Sequence, residues 1–144
     1  VFKVSSKSSL LTLQPHTASL QNIDLELLAN YCQIEDWYAS AESGIFTLGD
    51  LSSYQHNISS SCGLLPLINS YTPEDRDRIT EIFDVVCAQN STFSYSTTII
   101  GTDGHEQPVV VIGESIIENV SEAIIKGVFI FPHFHKEPAQ KFRQ

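Results

Sequence analysis

The sequence predicts an α+β fold: an antiparallel sheet with one face covered by helices. Three observations carry this. First, Phe93, Tyr95, Thr97 and Ile99 alternate with Ser94, Ser96 and Thr98, the period-two pattern of a half-buried strand. Second, two more β-prone runs follow closely, Val109 to Ile112 continuing towards Ile117 and then Ile124 to Phe131. The turn Gly101-Thr102-Asp103-Gly104 and the polar stretch Glu118 to Glu122 link the three runs, and sequential strands with short links pair as a meander. Third, one amphipathic helix stands just before them. Thr72 supplies an N-cap, Pro73 fits the first helical position, and Glu74 and Asp75 favour the positive end of the helix dipole. Ile79, Ile82, Phe83 and Val86 then share one face, the face that would lie on the sheet.

The remaining elements follow in chain order. Residues 1–16 mix Ser, Lys and scattered apolar residues up to the breaker Pro15 and predict a tail. Residues 17–40 predict a helix: Leu20, Ile23, Leu27, Tyr31, Ile34 and Tyr38 recur at spacings of three and four, with no Pro or Gly between them. The stripe is narrow, like a coiled-coil seam. It fits a helix folded onto its own domain as well as one that pairs two copies. The core is expected over residues 41–132 and a linker over 133–144. Within the core, Gly44 to Leu48 reads as a short strand. Residues 51–63 are rich in Ser and predict a short strand near Tyr54 to Ile58 and a helical turn near Ser60. Leu64 to Ile68 is apolar and interrupted by Pro66.

Composition narrows the function. The net charge is −9, which argues against nucleic-acid binding that rests on phosphate neutralisation. No apolar run reaches the ~20 residues needed to span a bilayer, and no secretory signal pattern appears. Cys32, Cys62 and Cys87 are odd in number and widely spaced, which fits reduced thiols in a cytoplasmic protein better than a disulfide framework or a zinc site. The chain contains no Met, so it reads as a segment of a longer protein.

The order of these pieces resembles the PAS domain, in particular the sensory-box type with a Pro-Glu-Asp-Arg motif. Tyr71-Thr72-Pro73-Glu74-Asp75-Arg76 stands in that place. Phe93 and Tyr95 match the next strand, Asp103-Gly104 the hairpin turn, Gly127 the last strand and Gly44-Ile45-Phe46 the first. The resemblance covers about residues 41–132 and implies a five-stranded antiparallel sheet covered by short helices and one longer helix. Where the family often carries Arg-Trp-Val after the turn, this chain has Gln107-Pro108-Val109. The resemblance also implies a sensory or regulatory module of a bacterial signalling protein. Its output domain, outside this chain, would be a diguanylate cyclase, a cyclic-di-GMP phosphodiesterase or a histidine kinase.

From the pattern, Phe46, Phe83, Tyr95, Thr97 and Val111 are the candidates to line an interior ligand site. Leu20, Ile23, Leu27, Tyr31 and Ile34 are the candidates for a homodimer interface, as related domains pair through such a helix. The alternative is a ligand-free interaction module whose large side chains fill their own interior. Neither flavin nor haem is expected: Cys62 lacks the Asn-Cys-Arg-Phe context of the flavin-binding sensors, and the helix opened by Pro73 contains no His. His56 and His105 are expected in a loop and a turn facing solvent. His133 and His135 are too few ligands for a metal site. The chain shows no Gly-x-Ser-x-Gly, P-loop or His-Glu-x-x-His, so no catalytic role is expected of this segment.

Overall fold

The computed structural model describes residues 2–5, 30–119 and 123–133. Its strands form one antiparallel sheet of seven, in the order β1-β5-β6-β7-β2-β3-β4. In chain order the elements are β1 (Phe2–Ser5), β2 (Cys32–Ser40), β3 (Phe46–Leu48), α1 (Asp50–His56), β4 (Ser61–Cys62), α2 (Leu64–Asn69), α3 (Pro73–Val86), β5 (Ser91–Ile100), β6 (Glu106–Ile117) and β7 (Ala123–Pro132). The fold class is the expected one. Five strands build the body of the sheet, and the short β1 and β4 extend its two edges.

The C-terminal half forms as the sequence predicts. β5 alternates buried and half-buried residues almost to its end. It pairs with β6 from Ser91↔Ser115 to Ile100↔Glu106, and β6 pairs with β7 from Val110↔Ile130 to Ile117↔Ala123. The turn before β6 places Gly104 at φ 83°, a backbone conformation that favours glycine. Gly127 faces Gly113 across β6 and β7, and a Cβ on Gly127 would stand 1.9 Å from the Ile112 carbonyl oxygen. That close approach of two backbones requires glycine there.

The N-terminal half corrects three expectations. Residues 32–40 are not helical. They form β2, inside the sheet between β7 and β3. The spacing of Ile34 and Tyr38 imitates a helical stripe, yet both side chains are exposed, while Trp37 and Ala39 point inward at 2% exposure each. Glu35, on the inward side, breaks the apolar alternation that would have revealed a strand. The expected first strand at Gly44 to Leu48 shortens to Phe46–Leu48, because Gly44 turns the chain at φ 71°. Phe46 pairs with Ala39, so this is the second arm of a hairpin.

The third correction concerns the Ser-rich region. The expected strand at Tyr54 to Ile58 is replaced by α1, which ends at His56, and in place of the expected helical turn near Ser60 a bend leads into strand β4. Ser, Asn and His are indifferent helix formers, so packing decides here. Pro66 does not break Leu64–Asn69, since it occupies the first turn of α2, where backbone N–H groups have no intrahelical partner. Of the sequence-predicted helix at residues 17–40, residues 17–29, with Leu20, Ile23 and Leu27, lie outside the described residues.

Candidate functional site

α3 begins where the sequence places it and buries Ile79, Ile82, Phe83 and Val86. The charges at its start tie it down. Asp75 Oδ2 accepts the Thr72 hydroxyl at 3.0 Å and the Thr97 hydroxyl of β5 at 2.7 Å. Thr72 therefore does not cap the backbone with its side chain as expected. Arg76 donates from Nε to the Tyr71 carbonyl at 3.0 Å and from Nη2 to the Asn69 carbonyl at 3.1 Å. The Pro-Glu-Asp-Arg sequence thus clamps α3 to β5 and to the end of α2. Charge-assisted hydrogen bonds of this kind are the stronger ones.

Between the helices and the sheet lies an aromatic interior. The Trp37 ring stands 5.6 Å from Phe46, 6.1 Å from Phe93 and 5.8 Å from Phe129, centroid to centroid. Phe83 meets Phe46 edge-on at 5.6 Å and Phe93 at 5.4 Å. Gly113 makes this possible, since a Cβ there would come within 2.6 Å of Phe93 and 3.0 Å of Trp37. Four of the five sequence-predicted ligand residues, Phe46, Phe83, Tyr95 and Val111, belong to this core. Thr97 is buried at its margin with its hydroxyl committed to Asp75.

Three polar residues within the interior escaped the sequence reading. His56, expected in solvent, is 3% exposed. Its Nδ1 lies 2.7 Å from the Ser52 carbonyl and its Nε2 2.9 Å from the Tyr71 hydroxyl. A carbonyl can only accept, so Nδ1 carries the proton and Nε2 accepts the Tyr71 O–H. Burial lowers the His56 pKa to about 4, with the Ser52 hydrogen bond partly opposing. Tyr71 is fully buried. Burial first, and the neighbouring Tyr95 second, raise its pKa well above the usual phenol value. The spacing of Ser52 and His56, one helical turn apart, was the available signal, but it is legible only once α1 is known to be a helix.

The second is Trp37, whose indole Nε1 is buried without a hydrogen-bond partner. The third is Ser52, whose Oγ is likewise buried and unpartnered. Their elements, β2 and α1, meet through Glu35 and Phe129. Glu35, two residues before Trp37 on the same face of β2, accepts the backbone N–H of Ser52 at 2.6 Å and that of Leu51 at 3.3 Å. The Phe129 ring stands 5.8 Å from the Trp37 ring and 4.8 Å from the His56 ring. Glu35 therefore serves as the N-terminal cap of α1, reaching it from another element. Gly49 leaves room for it, as a Cβ there would come within 2.3 Å of the carboxylate.

Among the described residues, no cluster of three or more His, Cys, Asp or Glu side chains is arranged to hold a metal ion. Cys62 is buried beside Phe46, and burial raises its thiol pKa. His105 lies exposed in the β5–β6 turn, as expected, with its backbone N–H on Asp103 Oδ1 at 2.9 Å. His135 lies outside the described residues. Tyr31 and Ile34, the two dimer candidates within them, are exposed at 51% and 41%. Ile34 reaches the surface from the outer face of β2 rather than from a helix.

The sequence matches no protein-family model and no curated protein. Solved structures do match. One is the N-terminal domain of a diguanylate cyclase with PAS/PAC sensor from Marinobacter aquaeolei, with TM-score 0.57 and 14% identity over 69% of this chain and 94% of that one. Another is a domain described as part of a light and redox sensing histidine kinase from Haloarcula marismortui, with TM-score 0.61 and 14% identity over 75% and 97%. A third is a sensory box histidine kinase/response regulator from Burkholderia thailandensis, with TM-score 0.53 and 13% identity over 76% and 85%. The chain has the PAS fold. It spans nearly the full lengths of the first two neighbours, and its own core is a sheet whose inner face is closed by two short helices and one longer one. No helix among the described residues is long and apolar enough to cross a membrane.

Proposed function

We propose that this PAS fold is a sensory module. It binds a small molecule between α1 and the sheet and passes the event to an output domain of a cytoplasmic signalling protein. The observation that carries the reading is that two polar groups of the interior, Trp37 Nε1 and Ser52 Oγ, are buried without a partner. A buried donor left without a partner costs about 1–3 kcal/mol, and folds rarely retain such groups without a use. The structural neighbours support the setting, since their names are those of a diguanylate cyclase sensor and of histidine kinases. Signalling would be a population shift: an occupied interior favours one placement of α1, and with it of the flanking segments, over another. His56 meets a carbonyl and a phenol rather than a nucleophile, so its role here is to seat α1 and not to catalyse.

A second reading has its own observation. The rings of Trp37, Phe46, Phe83 and Phe93 already pack against one another. That favours a ligand-free module acting through its surfaces, with homodimerisation through the segment before β2. Native mass spectrometry of protein purified from cells separates the two. A retained small molecule supports the sensor. A bare chain from every growth condition tried, with a dimer as the main species, supports the interaction module.

A further inference from the structure

The interior specifies a ligand class, an inference that rests on the sensory reading above. Every side chain below 9% exposure among the described residues is apolar or uncharged: no Asp, Glu, Lys or Arg is buried. Glu35 and Asp75, the carboxylates nearest the interior, are half-buried and already committed, Glu35 to the N-terminus of α1 and Asp75 to Thr72 and Thr97. His56 holds its neutral form between the Ser52 carbonyl and the Tyr71 hydroxyl. A charged ligand brought among these groups would lose its hydration and gain no counter-charge, the costliest kind of burial. What the site offers instead is one free donor, the Trp37 indole N–H, and one free hydroxyl, that of Ser52, among aromatic rings. Indole N–H can only donate, so its partner must accept. Flat rings pack best on flat rings. We infer that the interior of this PAS fold binds a small, uncharged, ring-containing molecule whose carbonyl, ether oxygen or ring nitrogen accepts the Trp37 N–H.

The chain contains one Trp, so its indole N–H gives a single, unambiguous signal in a 1H–15N spectrum of the labelled protein. Three probes of nearly equal size are titrated: acetophenone, with ring and carbonyl acceptor; ethylbenzene, with the ring alone; and benzoate, with ring and charge. The expected result is a downfield shift of the indole proton with acetophenone and binding roughly tenfold tighter than that of ethylbenzene, the value of one hydrogen bond. Benzoate leaves the interior signals in place. Trp37→Phe keeps a ring and removes the donor, and should bring acetophenone and ethylbenzene to within about twofold of each other. Should that variant fail to fold, the three wild-type titrations still decide. Benzoate binding as tightly as acetophenone, or ethylbenzene matching it, overturns the inferred class while leaving interior binding intact. If none of the three moves any signal from residues under α1, interior binding fails as well and the ligand-free module stands.

Discussion

The two faces of the sheet use the same strands and reach opposite outcomes. On the inner face, Trp37, Phe93, Tyr95, Val111 and Phe129 are at most 3% exposed, covered by α1, α2 and α3. On the outer face, residues one position along remain open: Ile34 at 41%, Tyr38 at 56%, Ile112 at 43% and Ile124 at 50%. In register they form cross-strand rows. Ile34 stands opposite Ile130 and Ile130 opposite Val110; Val128 stands opposite Ile112. The ion pair of Lys126 with Glu114 at 3.7 Å, exposed Asp36 of β2, and Ser94, Ser96 and Thr98 of β5 interrupt the apolar surface. Hydrophobicity alone therefore does not decide which face becomes core. The inner face is core because α3, clamped at Asp75 and Arg76, and α1, clamped at Glu35 and His56, are anchored to that side.

The largest expected effect comes from cutting the inner face. Phe83 touches Phe46, Phe93 and Tyr95, so Phe83→Ala leaves a cavity among rings that cannot all close on it. The loss should be roughly 3–5 kcal/mol. A denaturant melt measures it. A loss below about 1 kcal/mol would mean that this face is not the core.

Next is the pH dependence of α1's anchor. The His56 pKa is about 4 in the fold against an ordinary 6.5, so the unfolded chain binds more protons between these values. Stability from this group is complete above about pH 6.5 and lost as pH falls towards 4, about 3 kcal/mol in all. Chemical melts across that window should show the slope, and His56→Gln should remove it while lowering stability at neutral pH. An equal slope in the variant would assign the loss to other groups.

These anchors also explain what the sequence could reveal. β5, β6, β7 and α3 follow from local pattern, because their alternation and capping residues agree with where they pack. β2 and α1 do not. Their identity depends on each other: Glu35 looks like a solvent residue until α1 supplies the N–H groups it accepts, and His56 looks like a loop histidine until Tyr71 is placed above it. Trp37 stood in the sequence between Asp36 and Tyr38 as part of a presumed helix, which hid both its inward direction and its free N–H. Of the interior, the apolar core was legible in Phe46, Phe83, Tyr95 and Val111. The polar groups that give the interior its chemistry were not, since the burial of each depends on elements distant in the chain.

A smaller effect tests the Glu35 clamp. Gly49→Ala places a methyl group where the Glu35 carboxylate sits. The side chain can swing away, but only by releasing the N–H groups of Leu51 and Ser52. Loss of a cap costs about 1 kcal/mol. The same Ala in Glu35→Ala should cost about as much and add nothing on top of Gly49→Ala, since both remove one interaction. Additive losses would show that Glu35 and Gly49 act separately.

The smallest effect on stability belongs to the outer face, and there the informative readout is association. Ile34→Asp places a carboxylate on an exposed position beside Ile130, so the isolated fold should change by no more than about 0.5 kcal/mol. If two copies meet through this face and the segment leading into β2, as the dimer reading holds, the same carboxylate is stripped of water in the pair and opposes it. Apolar burial at about 25 cal/mol per Å² drives such pairing, and lost freedom of motion offsets much of it, so a dimer of micromolar affinity is the reasonable expectation. Sedimentation velocity across a concentration series should show wild type moving from monomer to dimer and Ile34→Asp staying monomeric with an unchanged melting temperature. Wild type that is monomeric at high micromolar concentration ends the dimer reading. An Ile34→Asp protein that melts much earlier would instead place Ile34 under cover from its own chain, and the two faces would then differ in what covers them rather than in whether they are covered.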